Sequence, residues 1–252
     1  MSAPVSPGHR RILALCAWSG IAFLAVYLIG FVGFAHFVPP PPPSLTADQI
    51  AALYDGNRFG IRFGMIVALI GSTLLFPFFT LISLRMARAE RGTPILGAVQ
   101  FAGAILLIVF FGLCSMLWIA ASFRPELDPS TVRALHDLSW LVFVMVFPAF
   151  TLQMICIAVA GFLDDSARPI WPRWVSYVNV WMGIAGMGGG LAVFFTTGPF
   201  AWNGFVGFYI PIVAFVLWLG VMTAVLRRGV RDDAEADAAV EPARVAAPVA
   251  GG

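Results

Sequence analysis

Residues 94–122 read PILGAVQFAGAILLIVFFGLCSMLWIAAS and contain no charged side chain. A helix needs about 20 mostly apolar residues to cross the hydrocarbon core of a bilayer, and this run is longer. Five further apolar runs of sufficient length occupy residues 11–34, 60–84, 138–162, 174–195 and 205–226. Because unpaired backbone groups are costly in hydrocarbon, such runs are expected to be helical. The sequence therefore predicts an all-α fold, a polytopic transmembrane bundle of about six spans within residues 11–228.

The composition of the chain agrees with this fold. Hydrophobic residues make up 60% of the sequence and charged residues only 11%. Soluble globular domains are about half apolar and about a quarter charged, so the lipid bilayer is the expected surrounding of this chain. The formal net charge of +2 gives no strong attraction for nucleic acid, and no nucleic-acid partner is expected.

The arginines predict the orientation of the spans. They cluster before the first span, in the second and fourth connections, and after the last span. These residues are Arg10, Arg11, Arg85, Arg88, Arg91, Arg168, Arg173, Arg227, Arg228 and Arg231. With six spans all four clusters lie on one side, which the positive-inside rule assigns to the cytoplasm. We therefore expect a multi-pass protein of a cell membrane, of the bacterial inner-membrane type, with both termini cytoplasmic.

The segments outside the spans follow from this orientation. Residues 1–10 form a cytoplasmic tail, and residues 35–59 form a periplasmic or extracellular loop. Residues 229–252 are rich in alanine, proline and acids, which predicts a disordered cytoplasmic tail. Within the loop, Thr46 and Gln49 have the spacing of a capping box, which predicts a short helix lying along the membrane surface with Ile50, Leu53 and Tyr54 on one face.

Proline and capping patterns predict where helices start and bend. Thr93-Pro94 and Asp128-Pro129 each place a capping residue before a proline at the first helical position. Pro77, Pro148 and Pro211 lie inside predicted spans and should kink them, because proline lacks a backbone N–H and its ring clashes with the preceding turn.

The second and fourth spans share a short motif. Phe76–Leu81 reads FPFFTL and Phe147–Leu152 reads FPAFTL, and an arginine precedes the proline by 15 residues in each case (77 − 62 and 148 − 133). A tandem duplication of a two-helix hairpin would explain the match. A match this short also arises by chance in so apolar a chain, so both explanations stay open.

The polar residues near the outer ends of the spans are the candidate site. Arg62 and Arg133 could bind the anionic group of an amphipathic, lipid-like molecule, with the site shaped by His136, Asp137, Trp140, Trp202 and Asn203. The alternative is that these arginines only anchor helices at the interface. A rival hypothesis is a membrane-embedded enzyme of lyase or isomerase type, in which His136 and Asp137 form an acid–base pair.

A third hypothesis is an accessory subunit of a membrane complex. Gly186 and Gly190 are four residues apart on the fifth span, which is the spacing that lets two helices approach closely, here a partner helix. Alternatively, the glycine-rich run loosens the helix. No metal and no cofactor are expected, because Cys16, Cys114 and Cys156 are far apart and no nucleotide-binding or zinc-binding motif occurs.

Overall fold

A computed structural model of the protein describes residues 6–90 and 92–245, and within them it contains helices and no β-strand. The α-helices are α1 (Pro7–Leu28), α2 (Ala47–Gly56), α3 (Arg58–Ser72), α4 (Leu75–Ala89), α5 (Ile95–Phe123), α6 (Pro129–Val144), α7 (Phe147–Leu163), α8 (Arg173–Gly186) and α9 (Ile210–Val245). A π-helical segment, Ile29–Phe34, continues α1, and another, Phe205–Tyr209, precedes α9. A 3₁₀-helix, Met187–Phe194, continues α8. The predicted all-α class is confirmed.

Six helical stretches of the described chain are long and apolar enough to cross a membrane. They are Gly8–Phe34, Arg58–Ala89, Ile95–Phe123, Pro129–Leu163, Arg173–Phe194 and Phe205–Ala236. Each overlaps one of the six predicted spans. The protein is therefore a multi-pass integral membrane protein, and its exposed apolar side chains face lipid.

The six spans form a closed ring around a shared core. Helix α5 packs against both broken spans, α3–α4 on one side and α6–α7 on the other. Helix α8 packs on α7, and α9 closes the ring by contacting both α8 and α1. The start of α1, the connections after α4 and α7, and the last turns of α9 lie together at one end, called here the arginine-rich end. The loop containing α2 lies at the opposite end.

Proline interrupts three of the spans, as predicted. The second span breaks between α3 and α4 at Thr73–Leu74, three to four residues before Pro77. The fourth breaks between α6 and α7 at Met145–Val146, directly before Phe147-Pro148. The sixth changes from π-helix to α-helix directly before Pro211. The related positions of the first two breaks agree with a duplication, which stays a hypothesis.

The helix starts confirm two of the predicted caps and correct the third. The Thr46 hydroxyl accepts from the Gln49 N–H and the Gln49 side chain accepts from the Thr46 N–H, so the capping box is present. The Asp128 carboxylate accepts from the N–H groups of Ser130 and Thr131. Thr93 does not cap α5; the Glu90 carboxylate does, accepting from Leu96 N–H and Gly97 N–H at 2.8 Å each. Only five residues separate the end of α4 from the start of α5, so the Glu90 side chain lies within reach of the free N–H groups of the first turn of α5.

The segment predicted to be a disordered tail, residues 229–252, is helical where the structure describes it. Helix α9 continues past the last span through Gly229–Val245, while residues 246–252 lie outside the described residues. Alanine is the best helix former, and it is frequent here. Opposite charges four residues apart add to helix stability, with Arg228 near Asp232 and Arg231 near Glu235 at 3.8 Å. The alanine content and these charge pairs account for the helix in the described part of the tail.

Candidate functional site

The loop opposite the arginine-rich end folds down onto the bundle. Helix α2 packs against α6, and Ile50 and Tyr54 on its inner face are buried. The indole N–H of Trp202 donates to the Pro41 carbonyl at 2.9 Å, which ties the polyproline stretch to the turn before α9. The face predicted to carry Ile50, Leu53 and Tyr54 packs on protein instead of lying along the membrane surface, with Ile50 and Tyr54 buried and Leu53 half-buried.

Tyr54 and His136 form a buried polar pair under this loop. The Tyr54 hydroxyl and His136 Nδ1 are 3.0 Å apart, and the two side chains are 1% and 0% exposed. Burial raises the pKa of Tyr54 well above its ordinary value, so it stays a neutral phenol. His136 Nε2 has no hydrogen-bond partner among the described residues. In either neutral tautomer one polar atom of the imidazole is therefore left unpaired.

Aromatic rings surround His136. Trp140, Trp202 and Phe37 have ring centroids 6.2, 6.4 and 6.5 Å from the imidazole. Trp118 packs edge-on against Trp140 at 5.2 Å, and both indoles are fully buried. Neither of these two indole N–H groups finds an acceptor in the described part of the chain. Three unpaired nitrogen atoms thus lie within one buried aromatic cluster, formed by Phe37, Trp118, His136, Trp140 and Trp202.

An apolar cavity of about 70 Å³ lies next to this cluster, where α6 breaks into α7. Its walls come from α5, the α6–α7 break, α8 and the start of α9. They include Phe111, Phe143, Val144, Val146, Phe147, Phe150, Gly186, Phe208, Ile212 and Phe215. The rings of Phe208 and Phe143 also pack against Trp140, with ring centroids 6.0 Å apart in each pair. These two residues therefore join the cavity to the aromatic cluster.

The two arginines predicted to share a site do not meet. Arg62 donates from Nε to the Arg58 carbonyl at 3.3 Å, along its own helix. Arg133 lies 3.6 Å from Asp137, also on its own helix, and both side chains are partly exposed. Within the described residues no hydrogen bond or ion pair joins Arg62 to Arg133 or to Asp137. Each arginine therefore has only local partners, as the anchoring alternative expects.

The proposed acid–base pair is separated in the same way. His136 faces the bundle interior and Tyr54, whereas Asp137 is 34% exposed and faces Arg133. Adjacent residues of a helix point about 100° apart, so His136 and Asp137 cannot share one face. The structure brings His136, Trp140 and Trp202 together, and it leaves Arg62 and Arg133 with partners on their own helices. Asp137 lies close enough to Tyr54 for its charge to help raise the pKa of that tyrosine. Asn203 is half-buried in the turn beside Trp202.

The glycines of the fifth span make their close contacts within the chain. A Cβ atom placed on Gly186 would lie 2.7 Å from the Phe150 ring, and one on Gly190 would lie 2.5 Å from the Phe147 ring. The run from Met187 is a 3₁₀-helix, so the glycine-rich segment does loosen the α-helix. These glycines allow α8 and the 3₁₀-helix after it to approach the α6–α7 break, and Gly186 lines the cavity.

Sequence reasoning does not predict four residues of the site: Phe37, Tyr54, Trp118 and Phe208. Helical periodicity assigns Tyr54 only to a helix face. The signal for Tyr54 was its place on the buried face of a well-capped helix between two spans. No sequence signal marks Trp118 or Phe208, which lie in apolar runs with many similar aromatic residues.

Comparisons with protein-family models, with curated proteins and with solved structures give no match to this chain. The function is therefore inferred from the geometry of the chain itself. The features that bear on it are the apolar cavity, the adjoining aromatic cluster with its unpaired nitrogen atoms, and the folded loop that covers them.

Proposed function

We propose that the protein binds an amphipathic, lipid-like molecule inside the membrane. The apolar body of this molecule occupies the cavity at the α6–α7 break, and its polar end points toward Trp140 and His136. One observation carries the proposal: the cavity adjoins a buried aromatic cluster in which three nitrogen atoms lack partners. In this proposal the arginine-rich end is cytoplasmic, so the ligand lies toward the outer leaflet.

The lining of the cavity supports an apolar ligand that arrives from the bilayer. Phe147, Ile212 and Phe215 line the cavity and remain partly exposed on the lipid-facing surface, so the cavity can be reached between α6–α7 and α9. A cavity of about 70 Å³ holds a ring or a short piece of a chain, and a longer chain extends from it into lipid.

The unpaired nitrogen atoms support a polar end that accepts hydrogen bonds. A buried polar group without a partner costs free energy, so such groups in a membrane core usually have a ligand, a water molecule or another side chain as partner. Indole N–H groups are donors only. A carbonyl or hydroxyl oxygen is therefore a better match than an anionic group, because neither Arg62 nor Arg133 lines the cavity.

The test is to fill the cavity from a side chain that lines it. The Ile212→Trp variant places a larger side chain at the cavity wall, and Val213→Trp places the same side chain on the adjacent, 55% exposed position. Both proteins are purified in mild detergent, and molecules that co-purify are extracted with organic solvent and measured by mass spectrometry. We expect wild type and Val213→Trp to retain a specific molecule that Ile212→Trp loses.

Near-UV circular dichroism and gel filtration verify that both variants fold. The proposal fails if the wild type retains only the bulk lipid mixture, or if folded Ile212→Trp retains the same molecule in the same amount. A second readout is a photoactivatable fatty acid in vesicles, which should cross-link to peptides containing Phe147 or Ile212 in wild type and less in Ile212→Trp.

A further inference from the structure

The last turns of α9 are attached to the bundle by one carboxylate. Asp233 lies 3.0 Å from Arg85 Nη1 and 2.7 Å from Arg88 Nη1, so it bridges two arginines at the end of α4. Grooves of about 1230 Å³ and 330 Å³ lie on either side of this contact, and Arg85, Arg88 and Asp233 line both. Arg85 and Arg88 thus form an anion-binding site, and the carboxylate of Asp233 occupies it.

The site is incompletely filled. Arg85 is only 5% exposed, yet its Nη2 atom has no hydrogen-bond partner within the described residues. Gly229 lies directly against this guanidinium, since a Cβ atom there would be 3.0 Å from Arg85 Nη1. The Asp233 carboxylate pairs with Nη1 of Arg88 and with Nη1 of Arg85. The buried Nη2 of Arg85 remains without a partner.

The residues that line the larger groove change from apolar to charged along one face of α9. Its membrane-facing part is lined by Gly220, Val221, Ala224 and Val225 of α9 and by Trp171 and Trp174. Its outer part carries the basic residues Arg85, Arg88, Arg168 and Arg228. Arg168 is exposed at the rim, and no other described residue forms a hydrogen bond or ion pair with it. The groove also contains four acids, and each has partners. Asp164 accepts from Ser166 N–H and Ile170 N–H, Asp233 bridges Arg85 and Arg88, and Asp232 and Glu235 lie 3.8 Å from Arg228 and Arg231.

We propose that this groove binds the phosphate group of an anionic phospholipid from the adjacent leaflet. The acyl chains lie along Gly220–Val225, and the phosphate is bound by Arg168 and by the free donor of Arg85. Guanidinium groups suit this role because their planar donors match phosphate oxygens in pairs. Asp233 competes with the phosphate for Arg85, the one arginine that both anions contact, so it tunes the affinity of the site.

A membrane lipid is the source that fits the groove, because its apolar half continues into the surface of the spans. A soluble phosphate compound would leave the stretch from Gly220 to Val225 uncovered. The groove lies at the arginine-rich end, whereas the cavity lies at the α6–α7 break near the middle of the fourth span. The two share no lining residue, so either proposal can fail without the other.

The experiment compares lipids and variants in nanodiscs. The full-length protein is reconstituted in phosphatidylcholine with increasing phosphatidylglycerol, and tightly bound lipid is counted by native mass spectrometry after release into detergent. We expect the wild type to retain phosphatidylglycerol in preference to phosphatidylcholine. Arg168→Gln should lose this preference, whereas Arg124→Gln, which removes an exposed arginine at the opposite end, should keep it.

The Asp233→Asn variant separates competition from a purely structural role of Asp233. If Asp233 only attached α9 to α4, its removal would not strengthen lipid binding. Removing the competing carboxylate should strengthen phosphatidylglycerol binding about tenfold, a factor that corresponds to about 1.4 kcal/mol. Glu126→Gln changes the net charge equally at the opposite end and should leave binding unchanged. If Asp233→Asn does not fold, the Arg168→Gln comparison still decides.

Two outcomes overturn the proposal. One is equal retention of phosphatidylglycerol by wild type and Arg168→Gln. The other is that inorganic phosphate or glycerol 3-phosphate displaces or replaces the lipid at similar concentration, which would make the site one for a soluble phosphate.

Discussion

At the scale of single residues, the contact between Tyr54 and His136 joins the loop helix to a membrane span. It is the one side-chain hydrogen bond described between α2 and α6, and it lies in a cluster where several nitrogen atoms have no partner. A neutral hydrogen bond contributes about 1 kcal/mol, and more is lost when a buried partner is left unpaired. The pair therefore holds the loop over the candidate site.

Removing the Tyr54 hydroxyl should destabilise the folded protein. We expect Tyr54→Phe to lower the free energy of unfolding by about 1–2 kcal/mol, because Nδ1 of His136 loses its partner. Reversible unfolding with sodium dodecyl sulfate measures the change. Tyr177→Phe removes the hydroxyl of a 60% exposed tyrosine and should change stability little. Equal effects of the two substitutions would contradict this role.

Acid should weaken the start of α6 through Asp128. Hydrogen bonds from Ser130 and Thr131 lower the pKa of Asp128 to about 2, below its ordinary value of 3.8. A lowered pKa means that the carboxylate contributes stability above pH 3.8 and loses it as the pH falls toward about 2. The Asp128→Asn variant is the comparison for this effect, because asparagine also caps helices but its side chain does not titrate.

The melting temperatures of wild type and Asp128→Asn measure this effect in an acid-stable detergent. We expect the advantage of the wild type to shrink as the pH falls from about 4 to about 2. A difference that stays constant over this range would show that the charge of Asp128 does not matter.

Sequence spacing could predict only part of these residue contacts. The pairing of Arg133 with Asp137 follows from their i, i+4 spacing, and the structure contains it. The same geometry separates His136 from Asp137, which the sequence could have indicated. The partner of His136 is 82 residues away, and helical periodicity gives no information on which two helices meet at that distance.

At the scale of elements, the broken helices create the space at the candidate site. The break at Met145–Val146 and the 3₁₀-helix from Met187 lie against each other. A Cβ atom on Gly189 would lie 2.2 Å from the Val144 carbonyl oxygen, so the backbones are in direct contact there. Hydropathy and proline positions predicted the spans and their kinks. They could not predict that the glycine run packs on the α6–α7 break, because that depends on how the helices are rotated.

Gly189 should therefore not tolerate a side chain. We expect Gly189→Ala to lower the free energy of unfolding by about 1–3 kcal/mol, because the backbones must move apart. Gly220→Ala is the matched control, since a Cβ atom there meets nothing within 4 Å. It should leave stability unchanged or raise it by up to about 1 kcal/mol. Detergent-unfolding curves for both variants test the pair, and an unperturbed Gly189→Ala would rule out this contact.

At the scale of the whole molecule, charge is distributed unequally between the two ends of the bundle. The loop end carries four arginines, Arg58, Arg62, Arg124 and Arg133, against five acids, Asp48, Asp55, Glu126, Asp128 and Asp137. The arginine-rich end carries the four clusters found in the sequence. An even number of spans together with this asymmetry supports cytoplasmic termini.

Reporter fusions test that orientation. We expect a reporter that is active only in the cytoplasm to work when fused at either terminus and to fail when inserted at Pro41–Pro43. A reporter that is active only after export should give the opposite pattern. Termini on opposite sides of the membrane would contradict the six-span arrangement, and a cytoplasmic Pro41–Pro43 would reverse the orientation.

The long separation between Tyr54 and His136 has a consequence for biosynthesis. The segment containing Tyr54 leaves the ribosome 82 residues before its partner on α6. At 5–20 residues per second, that interval is about 4–16 s. During this time α2 lacks the α6 surface on which it packs in the folded protein, so the apolar face that carries Ile50 and Tyr54 stays uncovered until α6 is made.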